Sequence, residues 1–575
     1  MDKIDYYIII FYFIGLIFLG WILSKRIKSS EDLFLAGKNS SWWLSGLSTY
    51  MTIFSAGTFV VWGGVAYKSG LVAVTIGMML GIASLFVGKY IVEKWSLMGI
   101  HSPGEYIEKR FNRSIFNFYL FTSLVGRAIH MAVSLYAIAI VTAALVPLPE
   151  EHFLANPQTG NLSLNFIILF VGLVTVLYTS LGGFLSVLMT DLTQFAVLIA
   201  MVFILAPLSL SEIGGIQPFI ANAPPDFFSL FNEPYTVGWM ILWLFLNFFV
   251  IAGDWAFVQR YISVPSVKEA KKSIYLVGIL YLITPIIWYL PSMVYRQINP
   301  NVNPEQSYIL ISQLLLGPGM IGLMLAALLS ATLSTISSTL NVFANVFTYD
   351  IYKNIKPYKS EKGLIFAGRI FTWLFGFVII VLAILVPHAG GAEKVVVSAL
   401  TLIISPLFIP SIWGLFSKRI RPVAIWISMG VTYFLGLSLK LDRIKEVAQI
   451  NPVFLDAFIG FVFPVSILSL LELYFFVKEK RNNLYGGDSN GWKWLNRQLK
   501  NKQMDYNDDS RNQSKQYSRF ALNVLLSTFG AIGLIMILIN FFSYRRKFQL
   551  IFFGCFFLII AGGFYTLRRH LNRQY

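Results

Sequence analysis

Long, mostly apolar runs alternate along this chain with short polar or charged segments. Runs of about 18 residues or more are long enough to cross a bilayer as helices. They predict fifteen spans, near 5–24, 43–67, 70–92, 114–147, 162–181, 184–210, 236–262, 271–296, 318–350, 363–387, 392–417, 420–438, 453–477, 518–541 and 546–567. The stretches 162–210 and 392–438 divide least cleanly. Several runs exceed the thickness of a bilayer, so those helices must tilt, bend or project beyond it.

One run departs from uniform apolarity. Between Met320 and Tyr349 it carries Ala331, Ser334, Thr335, Ser337, Ser338 and Asn341. At about 100° per residue these positions share an arc of roughly 160° on a helix. Leu333, Leu340 and Phe343 occupy the opposite face. An uncharged stripe of hydroxyls suits a bare hard cation, whose water is replaced by small oxygen ligands and whose charge one carboxylate can balance. Membrane hydroxyls also bond back to the carbonyl four residues earlier and join helices together. Both readings stay open on the pattern alone.

Composition agrees with the runs. Hydrophobic residues make up 56% of the 575, charged residues 13%, and mean hydropathy is +0.67. A soluble chain would carry about twice that charged fraction. The net charge of +17 would suit a nucleic-acid partner if it were clustered, but the cations fall in short loops. Segments 25–41, 93–113, 260–272, 351–362 and 418–421 are basic and lie on one side, whereas 148–163 and 211–235 contain no Lys or Arg and lie on the other. That asymmetry is the positive-inside pattern of a multi-pass membrane protein, and it places the N-terminus outside and the C-terminus in the cytoplasm. Lys440 to Lys445 and Arg545 to Lys547 land on the outer side, which strains the topology of the last helices. The lone Cys555 excludes an internal disulfide framework and a multi-cysteine metal site. The opening apolar run reaches Leu23, too long for the core of a cleavable signal. Residues 478–517 are polar and read as a cytoplasmic linker unable to bury enough apolar surface to fold alone.

Charges inside spans are functional candidates by default. Arg127, His130, Asp191 and Asp254 qualify. Asp191 follows Gly182-Gly183 and Thr190; it either pairs with a base at the membrane surface or balances a cation on the hydroxyl stripe. Asp254 lies about one and a half turns before Arg260, a natural structural partner. Arg127 and His130 share a face one turn apart and could hold a carboxylate or polar solute, or bond helix to helix. Span 43–67 holds Thr49, Thr52, Ser55, Gly57, Thr58, Gly63 and Gly64. Each glycine costs a helix about 1 kcal/mol relative to alanine. The composition predicts unwinding around Phe54 to Gly57, and unwound backbone in a membrane must be buried in protein or line a cavity. Close helix packing accounts for the glycines equally well.

Taken in order, three motifs resemble the sodium:solute symporter family. They are Gly182-Gly183 with Thr190-Asp191-Leu-Thr-Gln194; Gln259-Arg260 with Ser266-Val-Lys-Glu-Ala-Lys; and Ala326-Ala327 through Ser334-Thr335-Ile-Ser337-Ser338-Thr-Leu-Asn341 to Thr348-Tyr-Asp350. Gly88-Lys89-Tyr90 and Ser102-Pro-Gly-Glu105 support the match, which covers roughly residues 5–480. The resemblance implies an all-α membrane protein of the leucine-transporter fold, with two inverted five-helix repeats at 43–210 and 236–417. A leading helix and loop (1–42), further helices (418–477), the linker and a C-terminal hairpin (518–575) flank them. It implies a sodium site from the carbonyls of Met51, Phe54 and Ala331 with the hydroxyls of Ser334 and Thr335. A second sodium would use Asp191, Ser334, Ser337 and Ser338. For the solute it points to Ser55, Thr58, Arg127, His130, Asn247 and Ser398, although Val250 stands where sugar transporters carry an aromatic gate.

The expected function is sodium-coupled import of a small polar organic solute, a sugar, sugar acid or relative, by alternating access. The partners are sodium, the solute and the bilayer, without nucleic acid or an obligatory protein partner. The alternative is a non-transporting solute sensor on the same scaffold. An enzyme is disfavoured because the five His residues are dispersed and form no metal motif.

Overall fold

The computed structural model describes residues 1–149, 151–156, 160–357, 360–389, 405–439, 452–481, 490–501, 508–542 and 547–573. Helix dominates among them, and extended backbone pairs only in isolated bridges. The helices that position the site are α1 (Lys3–Ser24), α2 (Trp42–Ile53), α3 (Ala56–Ser69), α4 (Leu71–Tyr90), α5 (Pro103–Arg110), α6 (Arg113–Leu145) and α7 (Leu164–Glu212). They continue as α8 (Val237–Gly253), α9 (Trp255–Ile262), α10 (Val267–Ile283), α11 (Pro285–Ile298), α12 (Met320–Val346) and α13 (Glu361–Leu385). The rest are α14 (Ser405–Trp413), α15 (Pro422–Leu439), α16 (Pro452–Arg481), α17 (Asn490–Asn501), α18 (Asp508–Phe542) and α19 (Lys547–Arg573).

The hydroxyl stripe lies on α12, at the centre of the molecule. In its most apolar window 94% of residues are buried, which is why a helix this rich in Ser and Thr needs no charged face. It packs among α1, α2, α6, α7 and α13. The buried carboxylate of Asp5 on α1 accepts the backbone N–H groups of Gly319 and Gly322, each at 2.7 Å. An anion thus satisfies orphan donors at the positive end of α12. A Cβ on Gly322 would stand 2.7 Å from the Asp5 Cα, so only glycine admits the approach. Ile539 of α18 closes on Gly319 from another side.

Two breaks interrupt the helices. Phe54 and Ser55 are extended between α2 and α3, which meet at 63°. Asp254 is extended between α8 and α9, which meet at 54°. A third irregularity lies within α7, where Gly183 has φ +55° and the Leu33 carbonyl would lie 2.3 Å from any Cβ. Gly183→Ala is therefore expected to cost several kcal/mol, combining left-handed strain with a backbone clash. Thermal unfolding of the purified variant checks this; a midpoint equal to wild type would show that the chain relieves the contact elsewhere.

Two expectations concern the number of spans and the linker. Beside the fifteen expected spans, ten helices among the described residues are long and apolar enough to cross, or up to twelve with each bent pair counted as one span; residues 390–404 and 440–451 lie outside that count. Residues 267–298, divided at Pro285 into α10 and α11, count as one of these spans, while much of 392–417 lies outside the described residues. The polar segment 478–517 contains α17. Leu495 is fully buried, and Gly491 packs on the Arg110 carbonyl of α5. Lys109 and Arg110 lie over the rings of Trp494 and Trp492 at 5.5 and 5.6 Å. Seating a few large side chains on a folded neighbour supplies the apolar burial that the segment lacks alone.

Candidate functional site

The break between α2 and α3 faces the hydroxyl stripe of α12. Thr335 Oγ1 donates to the Phe54 carbonyl and lies 3.2 Å from the Ala331 carbonyl and 3.4 Å from that of Thr52. One hydroxyl proton cannot serve three acceptors, so these oxygens form a convergent, oxygen-rich locus of the kind hard cations select. Ser334 Oγ is buried without a hydrogen-bond partner and lies beside the Asp191 carboxyl. The Met51 carbonyl already accepts the Phe54 N–H at 3.1 Å. Sequence reasoning missed the Thr52 carbonyl, whose only signal was its place just before the predicted break.

Next to this locus lies a buried ion pair. Asp191 Oδ2 accepts from Ser48 Oγ and from Arg260 Nη2, the latter at 3.3 Å, with both charged side chains fully buried. Arg260 also donates to Ser48 Oγ at 3.0 Å, the Ala256 carbonyl at 2.8 Å and Ser338 Oγ at 2.6 Å. Ser337 Oγ donates to the Ser334 carbonyl. Asp191 Oδ1 has no hydrogen-bond partner. The negative charge expected to await a cation is thus already faced by a guanidinium.

The partner suggested for Asp254 is also different. Asp254 pairs with Arg127 of α6, and its Oδ1 caps α9 by accepting the Ala256 N–H at 2.8 Å. Arg260 stands six residues on, about 240° around the helix, and so faces α7 and α12 instead. Both acids and both guanidiniums are paired, as burial demands. Neighbouring Gln259 donates to the Phe34 carbonyl and to Asn341 Oδ1, each at 2.8 Å, tying α9 to α12.

The remaining solute candidates are dispersed. Thr58 Oγ1 accepts the Ser55 N–H at 3.4 Å, so these hydroxyls help to start α3. His130 is one turn from Arg127, with its Nδ1 buried and without a hydrogen-bond partner. Asn247 donates within its own helix, to the Trp243 carbonyl at 2.8 Å. Ser398 lies outside the described residues. A small cavity bordered by Ser123, Arg127, Asp254, Thr339 and Phe343 has room for about one water molecule. Solute entry therefore requires helices to part.

The model of the sodium:solute symporter family matches residues 33–429. The sodium/glucose cotransporter of Vibrio parahaemolyticus is 27% identical over 432 residues, spanning 68% of this chain and 76% of its own. The sodium/sialic acid symporter NanT of Aliivibrio fischeri is 27% identical over 393 residues, 64% and 74% respectively. Among solved structures, a Na+-coupled sialic acid symporter in a substrate-bound, outward-open state superposes with a TM-score of 0.69 at 24% identity, covering 82% of this chain and 98% of that one. Mhp1, a nucleobase-cation-symport-1 transporter in a closed conformation, gives 0.50 at 12% identity, covering 84% and 99%. At these identities the solved structures establish the fold, an all-α membrane transporter of the leucine-transporter type. These relatives give the sensor alternative no support. The match over most of the chain, together with a broken helix facing a buried hydroxyl stripe, shows that the chain belongs to the sodium:solute symporter family.

Proposed function

We propose that this sodium:solute symporter imports a small polar organic solute, a sugar or close relative, with sodium through alternating access. The observation carrying the proposal is the convergence of the Phe54 and Ala331 carbonyls on Thr335 Oγ1, where a broken helix meets the buried stripe. In this reading Met51, Phe54, Ala331, Ser334 and Thr335 hold sodium, which replaces the bonds of Thr335 as it enters. A second sodium would use Asp191 Oδ1 with Ser334, Ser337 and Ser338, its affinity lowered by Arg260 on the other carboxylate oxygen. Ser55, Thr58, Arg127, His130, Asn247 and Ser398 are the proposed solute residues, and the repeats are 43–210 and 236–417. The N-terminus is outside and the C-terminus cytoplasmic.

Coupling follows from linkage. Sodium and solute favour the same conformation, so each raises the affinity of the other by the same factor. The membrane potential contributes about 2.3 kcal/mol per charge per 100 mV before the concentration gradient is counted. The test is uptake of labelled sugars and sugar acids into vesicles containing the purified protein. Accumulation above equilibrium under an inward sodium gradient is expected, whereas equal uptake with potassium would refute the proposal.

A further inference from the structure

We propose that Asp254 sets the charge class of the solute. By neutralising Arg127 inside the bilayer, it leaves a solute site of zero net charge suited to an uncharged polyhydroxylated compound and poorly suited to a carboxylate. The inference rests on the symport reading and deepens it.

Arg127 lies near the middle of α6 and borders the cavity beside Asp254, the residue at the break between α8 and α9. Its side chain is 15% exposed and that of Asp254 only 3%. Among the described residues these are the charged side chains that border this cavity. A guanidinium that faced the cavity alone would attract anions. Once paired, it presents hydrogen-bond donors without net charge, and hydroxyls can use them alongside the acceptor oxygens of Asp254.

An incoming carboxylate has two courses. It can displace Asp254 and strand a carboxylate in a low-dielectric site, or join as a second anion on one cation. Both incur the penalty of an uncompensated buried charge. A sugar incurs neither. The pair also joins two groups of helices: α6 packs on α7, α12 and α13, whereas α8, which leads into Asp254, packs on α4, α14 and α16. A solute that leaves the pair intact leaves this bridge available for closure.

Asp254→Asn isolates the charge, because asparagine caps a helix as well as aspartate does. The experiment measures sodium-dependent thermal stabilisation of the purified full chain by matched probes, glucose with glucuronate and galactose with galacturonate. The wild type is expected to bind the neutral sugar at least tenfold more tightly than its uronate. In Asp254→Asn that ratio should move at least tenfold toward the uronate. Arg127→Gln/Asp254→Asn, which buries no lone charge, should keep the wild-type order even if the single variant folds poorly. A wild type that prefers the uronate, or an Asp254→Asn ratio within twofold of wild type, would overturn the inference. Loss of sodium dependence with the expected ratios would overturn only the symport reading.

Discussion

Asp191→Asn is expected to cost the folded protein about 3–5 kcal/mol, far more than the loss of one cation ligand. The reason is Arg260. With Asp191 neutralised, a fully buried guanidinium keeps only neutral partners, Ser48, Ser338 and the Ala256 carbonyl. The cost is a large share of the 5–15 kcal/mol that typically holds a domain together. The variant should therefore express poorly and unfold at a markedly lower temperature. Asp191→Asn/Arg260→Gln removes both charges and should recover most of the loss. That double variant also reports on the proposed second sodium: if the wild type moves two charges per solute, the number should fall toward one. A single variant as stable as wild type would show that Arg260 finds other compensation. A double variant that still moves two charges would remove Asp191 from ion binding.

Thr335→Ala should raise the apparent sodium constant about tenfold or more while preserving folding. Its hydroxyl is the side-chain oxygen placed between the Phe54 and Ala331 carbonyls. Interactions of this kind with a charged group contribute about 1.5–3 kcal/mol, and 1.4 kcal/mol corresponds to about a tenfold change in affinity. Thr335→Ser keeps the oxygen and should stay near wild type. The measurement is the sodium dependence of uptake at fixed solute. If alanine and serine give the same constant as threonine, sodium binds elsewhere.

The sequence made some of this architecture readable and hid the rest, for identifiable reasons. The stripe on α12 is visible because a helix repeats its face regularly, and six small or polar residues on one arc stand out against leucine. The break at Phe54–Ser55 is visible because Gly and Thr crowd a run that needs good helix formers. Charges within spans are equally plain, but their partners are not. Asp191 meets Arg260 and Asp254 meets Arg127 across long stretches of chain. Proximity along the chain favours the wrong pairing of Asp254 with Arg260, which the turn of α9 forbids. Helix α17 is hidden by averaging, since Trp492, Leu495 and Leu499 form a thin apolar stripe in an otherwise polar segment. Apolar length alone cannot place the boundary inside a long run such as 162–210, which Gly183 interrupts only through its backbone.

The clamp on the first turn of α12 assigns mechanical roles to the two ends of the chain. Asp5 and Ile539 both close on Gly319, and both lie outside the region matched to the family. The helix carrying the oxygen stripe is thereby held at its Met320 end by α1 and α18. Asp5 and Ile539 thus hold that end from two sides. Trimming either terminus would loosen the bearing of the machine rather than shorten its edge.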